Sequence, residues 1–176
     1  MELTRPDADL VLLHPGHVPF DPRPAGLLDA RWLERVDGGG AVTYSQWSDA
    51  VEAADGAVAY RRYRSGAEAG ADREVGCVVL VSVRLDRPGV AEEWVDLVFA
   101  ALAAEERPHP GGISAHFHVS LDGLRVLNYA EWTSAEAHEE AMAAGGGSVG
   151  RSAAWQRVHS FTGLAGSDVR RYRVRR

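Results

Sequence analysis

The sequence predicts an α+β fold made of antiparallel sheets in two tandem copies. Three observations carry that prediction. The first is an internal repeat. Gly26–Ala50 (GLLDARWLERVDGGGAVTYSQWSDA) aligns without a gap on Gly111–Ala135 (GGISAHFHVSLDGLRVLNYAEWTSA), 85 positions further on. Identities fall at Gly26/Gly111, Ala30/Ala115, Asp37/Asp122, Gly38/Gly123, Tyr44/Tyr129, Trp47/Trp132 and Ala50/Ala135. The second is a later echo in the same order, Arg61-Arg62-Tyr63-Arg64 and Arg170-Arg171-Tyr172-Arg173. The third is local: in each copy an Asp-Gly pair separates two β-like segments, and glycine's tolerance of positive φ makes that a strong hairpin signal.

The elements follow in chain order. Asp9–His14 (DLVLLH) reads as a strand. Pro15, Pro19, Pro22 and Pro24 come next, and prolines at that density forbid a helix. The first hairpin ends at Ser48-Asp49, a cap and an acidic residue suited to the positive start of a helix. Gly66–Arg73, rich in Gly and Ala, reads as a linker. Gly76–Leu85 (GCVVLVSVRL) is a continuous apolar run, the mark of a strand buried on both faces. Pro88-Gly89 stops it. Val90–Ala104 then carries Trp94, Val98, Ala101 and Leu102 on one helical face with acidic residues opposite.

In the second copy the hairpin strands are Ser114–Ser120 and Arg125–Glu131. Thr133-Ser134-Ala135-Glu136 fits the S/T-x-x-E capping box that opens a helix, and Gly145-Gly146-Gly147 ends it. Ser152–His159 reads as a short helical segment. Arg170–Arg176 follows Val169 and alternates with Tyr172 and Val174, as an edge or closing strand does. The second copy, residues 71–176, therefore has the β-α-β-β-α-β order of a ferredoxin-like unit. The first, residues 1–70, reads as the same unit truncated by the loss of its first helix.

Composition narrows the function. The chain has 176 residues and a net charge of −6, the wrong balance for a general nucleic-acid binder. Its longest apolar run falls far short of the roughly 20 residues of a membrane span. Met1–Pro6 has no apolar core of a secretory signal, so the expected location is cytoplasmic. A single cysteine, Cys77, leaves no internal disulfide and no Cys-rich metal site. All 19 basic residues are arginine, which reads as codon bias in a GC-rich, actinobacterial-type genome. Without lysine there is no Schiff-base chemistry and no P-loop.

The second copy resembles the antibiotic biosynthesis monooxygenase family of ferredoxin-like dimeric α/β barrels. The resemblance rests on the strand followed by Pro88-Gly89 and a helix, on Pro110-Gly111-Gly112, on the amphipathic hairpin, and on Asn128-Tyr129-Ala130-Glu131-Trp132 running into Thr133-Ser134-Ala135-Glu136-Ala137. It covers residues 75–175, and more weakly 26–64. It implies two sheets packed face to face, joined in a homodimer or in an intrachain pseudo-dimer. It also implies oxidation of an anthrone-like aromatic polyketide to a quinone by O₂, with no metal or organic cofactor, no nucleic acid and no membrane.

The family places an asparagine four residues before the tryptophan, and Asn128 and Trp132 have that spacing. By resemblance, Asn128 donates its amide to a substrate carbonyl or oxyanion and Trp132 walls the aromatic pocket. Residues four apart in a strand share a face, which suits a shared site. The first copy has Thr43 at the asparagine position, so chemistry is expected in the second copy. The family's polar residue on the first strand has Ser82 and Arg84 as its nearest counterparts.

Four further residues are candidates for substrate binding. His116 and His118 share a strand face and titrate in a useful range; their spacing also suits a metal, but no third ligand is evident. His138 lies six residues after Trp132, where a family member can carry a tyrosine near the substrate, and distant relatives use a helix histidine for haem. Arg151 follows the glycine run, where an arginine can face the cavity. Three functional readings follow: the oxygenase; a non-catalytic barrel that binds a small hydrophobic ligand or stabilises a biosynthetic complex; and haem binding or degradation through His138, as in distant relatives.

Overall fold

The computed structural model describes residues 1–49, 51–53, 56–67, 73–105, 109–145 and 150–175. Among them run β1 (Leu10–Pro15), β2 (Leu27–Arg35), β3 (Ala41–Trp47), β4 (Val58–Ala67), β5 (Cys77–Leu85), α1 (Ala91–Ala103), β6 (Gly112–Ser120), β7 (Arg125–Trp132), α2 (Ala135–Ala144), α3 (Ala153–His159) and β8 (Leu164–Arg175). The fold is α+β and ferredoxin-like, with every strand pair antiparallel.

The strand order explains the repeat. The first half lays down β4-β1-β3-β2 and the second β8-β5-β7-β6, the same order in each. The two sheets then join at both edges. Trp32 to Arg35 of β2 pair with Arg175 to Tyr172 of β8, and Tyr60 to Ala67 of β4 pair with Ser120 to Ser114 of β6. A closed barrel results, formed within one chain. Exchanging the first four strands for the last four leaves its circular order unchanged, so the duplication is a pseudo-twofold axis. The arginine-rich echoes lie on β4 and β8, the strands that reach across to the other half.

The repeat identities have physical roles under that symmetry. Tyr44 and Tyr129 both point into the barrel and meet there, their ring centroids 4.8 Å apart. Leu33, Val78, Leu80, Leu127 and Tyr172 complete the interior around them. Trp47 and Trp132 point the other way, onto the outer faces of their sheets. Asp37 and Asp122 each accept a hydrogen bond from the backbone N–H two residues on, Gly39 and Leu124, both at 2.9 Å. Between them Gly38 and Gly123 sit at φ 76° and 71°, where a Cβ is strained. β5 is buried on both faces, Val78 and Leu80 inward, Val79 and Val83 outward, as its unbroken apolar run requires.

The halves differ in what covers their outer faces. Helices α1, α2 and α3 all belong to the second half, and Trp94 Nε1 of α1 donates to the Val158 carbonyl of α3 at 3.3 Å. The helix expected after Ser48 is not present among the described residues; Ala50, Ala54 and Asp55 lie outside them. The Ser48 hydroxyl donates instead to the Asp49 carboxylate at 2.9 Å. The first sheet is covered by loop side chains, Phe20 and Val51 packing on Leu10, Leu12, Leu27 and Trp47. Thr43 fastens that loop, accepting from Val18 N–H at 2.9 Å and donating to the Gly16 carbonyl at 3.0 Å.

Helix α2 starts one residue later than the capping box suggests. Thr133 N–H still donates to the Gly111 carbonyl at 2.9 Å, so the extended chain persists through it. Ser134 is the cap, accepting from Ala137 N–H at 3.1 Å. Gly145 ends the helix, and Gly146 and Gly147 lie outside the described residues. Of the linker, Gly66 and Ala67 belong to β4 and residues 68–72 are not described. Among the described residues, no helix is long and apolar enough to cross a membrane.

Candidate functional site

Strand alternation decides which face of β7 carries the chemistry. Leu127 and Tyr129 point inward, so Asn128, Ala130 and Trp132 face the space beneath the helices. Two adjoining cavities lie there, of about 330 Å³ and 190 Å³, and both are lined by Val98, Phe117, Asn128, Ala130, Trp132 and Trp155. Val79, Val81 and Val83 of β5 add to the floor; His138 and Met142 of α2 and Val158 of α3 add to the roof. The larger cavity is within the size range of small-molecule sites. Among the described residues, no carboxylate or guanidinium lines either one.

Asn128 is a polar group that this apolar wall leaves unsatisfied. It stands opposite Val81 on β5 and Phe117 on β6, neither of which offers a side-chain partner. Its Oδ1 is buried with no hydrogen-bond partner among the described residues. Buried amides are paired in the great majority of structures, and the exceptions call for an explanation. A ligand hydroxyl or a water in the cavity, donating to Oδ1, supplies one. The equivalent residue in the first half, Thr43, has both of its hydrogen bonds made by the loop it fastens. Phe20 stacks edge-on against Trp47 there, 5.7 Å between centroids at 83°, and a cavity of about 230 Å³ remains.

His138 joins Asn128 and Trp132. Its ring stands edge-on to Trp132, 4.8 Å between centroids at 84°. Arg171 of β8 donates from Nε to His138 Nδ1 at 2.9 Å. Burial, then the charge of Arg171, push its pKa down to about 4, so the imidazole is neutral near pH 7.

Two more residues complete the walls and were not singled out in the sequence. His109 lies 6.1 Å from the Trp132 ring, and Trp155 lines both cavities. His109 Nε2 and Trp155 Nε1 are buried without hydrogen-bond partners among the described residues. His109 directly precedes Pro110-Gly111-Gly112, and Trp155 sits in the predicted short helix, so position was the only signal for either.

The other candidates are elsewhere. His116 and His118 stand opposite Tyr129 and Leu127, so they face the barrel interior, away from Asn128. His118 bonds the Tyr44 hydroxyl at 3.0 Å and the Leu127 carbonyl at 3.3 Å. His116 bonds Ser65 and Ser114, both at 3.0 Å. With both nitrogens of each ring engaged, neither presents a lone pair for a metal. Burial is the main cause that pushes each of their pKa values down to about 4. Arg151 is exposed and borders a separate cleft of about 430 Å³ with Glu105, His109 and Glu140. Ser82 stands opposite the inward-facing Leu127, and Arg84 is exposed, so the β5 position beside Asn128 is Val81.

This geometry can be set beside known proteins. A family model for antibiotic biosynthesis monooxygenases matches residues 77–146. A Streptomyces coelicolor monooxygenase from the gene ActVA-Orf6, solved in complex with the ligand nanaomycin D, is 31% identical; the match covers 61% of this chain and 96% of that one, with a TM-score of 0.50. The chain belongs to the antibiotic biosynthesis monooxygenase family. An anthrone oxidase-like protein has the same fold at 16% identity, with a TM-score of 0.68 over 100% of this chain and 94% of that one. So does a Listeria monocytogenes ferredoxin-fold protein related to antibiotic biosynthesis monooxygenases, at 14% identity and a TM-score of 0.59 over 94% of each chain. No curated protein matches the chain. The segment matched by the family model contains Asn128, Trp132 and His138, and the antibiotic biosynthesis monooxygenase fold accounts for both halves of the barrel.

Proposed function

We propose that the protein is a cofactor-independent oxygenase that converts an anthrone-like aromatic, of the kind made in polyketide metabolism, to a quinone. One observation carries this reading: Asn128, a buried amide whose Oδ1 has no partner among the described residues, stands in an apolar, aromatic-walled cavity within the family-matched segment. The nanaomycin D complex of the Streptomyces coelicolor relative supports the substrate class.

The chemistry asks little of the protein. The anthrone methylene gives its proton to water, and the negative charge left behind spreads onto the ring oxygen. Asn128 donates its amide N–H to that oxygen where water is excluded, and such a donor is worth most in a dry site. The carbanion reduces O₂ and captures it as a peroxide anion, which takes a proton back from water; the hydroperoxide then loses water. One oxygen atom remains as the new carbonyl and the other leaves in water. Trp132, Trp155 and Phe117 hold the flat rings by their faces. In this reading the unit formed by residues 1–70 is the structural partner and residues 71–176 carry the site.

A second reading has its own observation. The ionisable side chain fixed beside Trp132, His138, is a weak base. A non-catalytic module that binds a small hydrophobic ligand needs no base. Purified protein incubated with emodin anthrone, with quinone absorbance and O₂ uptake followed together, separates the two. The oxygenase turns over above background, and Asn128→Ala lowers kcat/KM by about 10²–10³-fold, the usual loss of one oxyanion donor. Anthrone binding without turnover, equal in both proteins, supports the module and overturns the oxygenase.

A further inference from the structure

We propose that Arg171 is a positioning residue that fixes His138 as its Nε2–H tautomer, so that His138 serves the cavity as a hydrogen-bond donor to an anionic aromatic oxygen and not as a base. The inference rests on reading the cavity above as the binding site, and it adds a residue from the last strand that does not line it.

The argument starts from the guanidinium. Arginine has only donors and stays charged at any accessible pH. Arg171 Nε lies 2.9 Å from His138 Nδ1, so Nδ1 must offer a lone pair. The single proton of the neutral ring is then on Nε2. His138 is 2% exposed, and its ring is further held by the edge-on contact with Trp132.

The groups around His138 all favour this form. Burial first, then the charge of Arg171 from β8 and the neighbouring His109 from the loop before β6, disfavour an imidazolium. Glu139, on the same helix, pairs with Arg171 at 3.3 Å. Among the described residues, no carboxylate accepts a hydrogen bond from the His138 ring. In catalytic Ser-His-Asp arrangements a carboxylate accepts from one ring nitrogen and makes the other basic. Here a cation donates to one nitrogen, which leaves the other a donor only. The low pKa of His138 agrees with that polarity.

The consequence concerns the substrate. Asn128 and His138 line the same 190 Å³ cavity, and both can donate to oxygen. Neither is a strong base. The ligand class that fits is a hydroxylated polycyclic ketone acidic enough to bind as its phenolate or enolate.

Two measurements test this without any turnover. In ¹⁵N-labelled full-length protein at pH 7, the long-range ¹H–¹⁵N spectrum of His138 shows a pyrrole-type Nε2 and a pyridine-type Nδ1. In Arg171→Leu the two nitrogens move toward an averaged pattern, and Arg171→Lys, which keeps a donor, restores the wild-type one. The second measurement uses alizarin as a probe, because its phenolate is coloured. Bound to the wild type, its phenol pKa falls by about one unit, equivalent to roughly tenfold preference for the anion. Arg171→Leu and His138→Phe lose that shift while still binding the dye, and Arg171→Lys keeps it. A protonated Nδ1 in the wild type, or an unchanged dye shift in Arg171→Leu, overturns the proposal. If Arg171→Leu does not fold, the wild-type spectrum and the Arg171→Lys variant still decide it. Should anthrones not be oxidised while the tautomer and the dye shift behave as stated, the oxygenase reading fails and this one stands.

Discussion

Two tyrosines related by the pseudo-twofold axis are expected to respond in opposite ways to loss of a single oxygen. Tyr44 and Tyr129 are both 0% exposed and pack on each other at the centre of the barrel. The His118 ring fixes the difference. Its Nδ1 faces the Leu127 carbonyl at 3.3 Å and so carries the proton, which leaves Nε2 to accept from the Tyr44 hydroxyl at 3.0 Å. Tyr44→Phe removes that donor and strands a nitrogen that is 0% exposed. A lost buried hydrogen bond with an orphaned partner costs about 1–3 kcal/mol. The Tyr129 hydroxyl is buried with no partner among the described residues. Tyr129→Phe removes a desolvated group that nothing compensates, so it is neutral or stabilises by up to about 1 kcal/mol. Both changes keep the ring, so packing does not blur the comparison. The assay is urea unfolding followed by far-UV circular dichroism, with Cm compared at constant m. For a chain of this size a loss of about 2 kcal/mol also lowers Tm by about 4–8 °C. Equal losses in the two variants would refute the reasoning and would mean that Tyr129 has a partner, with Arg31 the neighbouring donor.

Three other outcomes follow from the same structure. His116, His118 and His138 have an ordinary pKa of 6.5 pushed down to about 4, so between those values the unfolded chain takes up protons that the folded one refuses. Stability is full above pH 6.5 and falls as pH drops toward 4, by up to about 1.4 kcal/mol per unit for each histidine; an equal urea Cm at pH 7 and pH 5 contradicts this. Thr43→Val removes both bonds that hold the loop over the first sheet and costs about 1–2 kcal/mol, with no effect on ligand affinity of the second-half cavity, measured by tryptophan fluorescence titration. Asn128→Leu exchanges an amide whose Oδ1 is unpaired for an apolar side chain on an apolar wall, so it raises urea Cm, by up to about 1 kcal/mol of stability, while oxidation of anthrones is lost; a lower Cm means the amide is bonded in the folded protein.

The sequence exposed local and periodic features and concealed what depends on distant strands. The Asp-Gly turns, the two-sided apolar run of β5 and the tryptophan anchors are read within a few residues of each other. The pairings of β2 with β8 and of β4 with β6 join residues far apart in the chain, and no local pattern announces them. Ser48 misled because a cap signal is local, whereas the need for a helix is set by what already covers the sheet. In the first half Phe20 and Val51 do that. The placement of His116 and His118 could have been read. The Asp122-Gly123 turn brings Phe117 opposite Asn128, and alternation then turns both histidines to the other face. The role of Arg171 could not, because its contact with His138 spans 33 residues and two elements. Trp155 and His109 offered residue type but no spacing that ties them to Asn128.

The central claim is that the cavity at Asn128 delivers one atom of O₂ to an aromatic ring. The direct measurement is the mass of the quinone formed from emodin anthrone under ¹⁸O₂, in parallel reactions with the wild type, with Asn128→Ala and without protein. The account predicts quinone carrying one ¹⁸O atom, formed rapidly by the wild type and at close to the protein-free rate by Asn128→Ala. Labelled quinone formed no faster by the wild type than without protein, or as fast by Asn128→Ala as by the wild type, contradicts it.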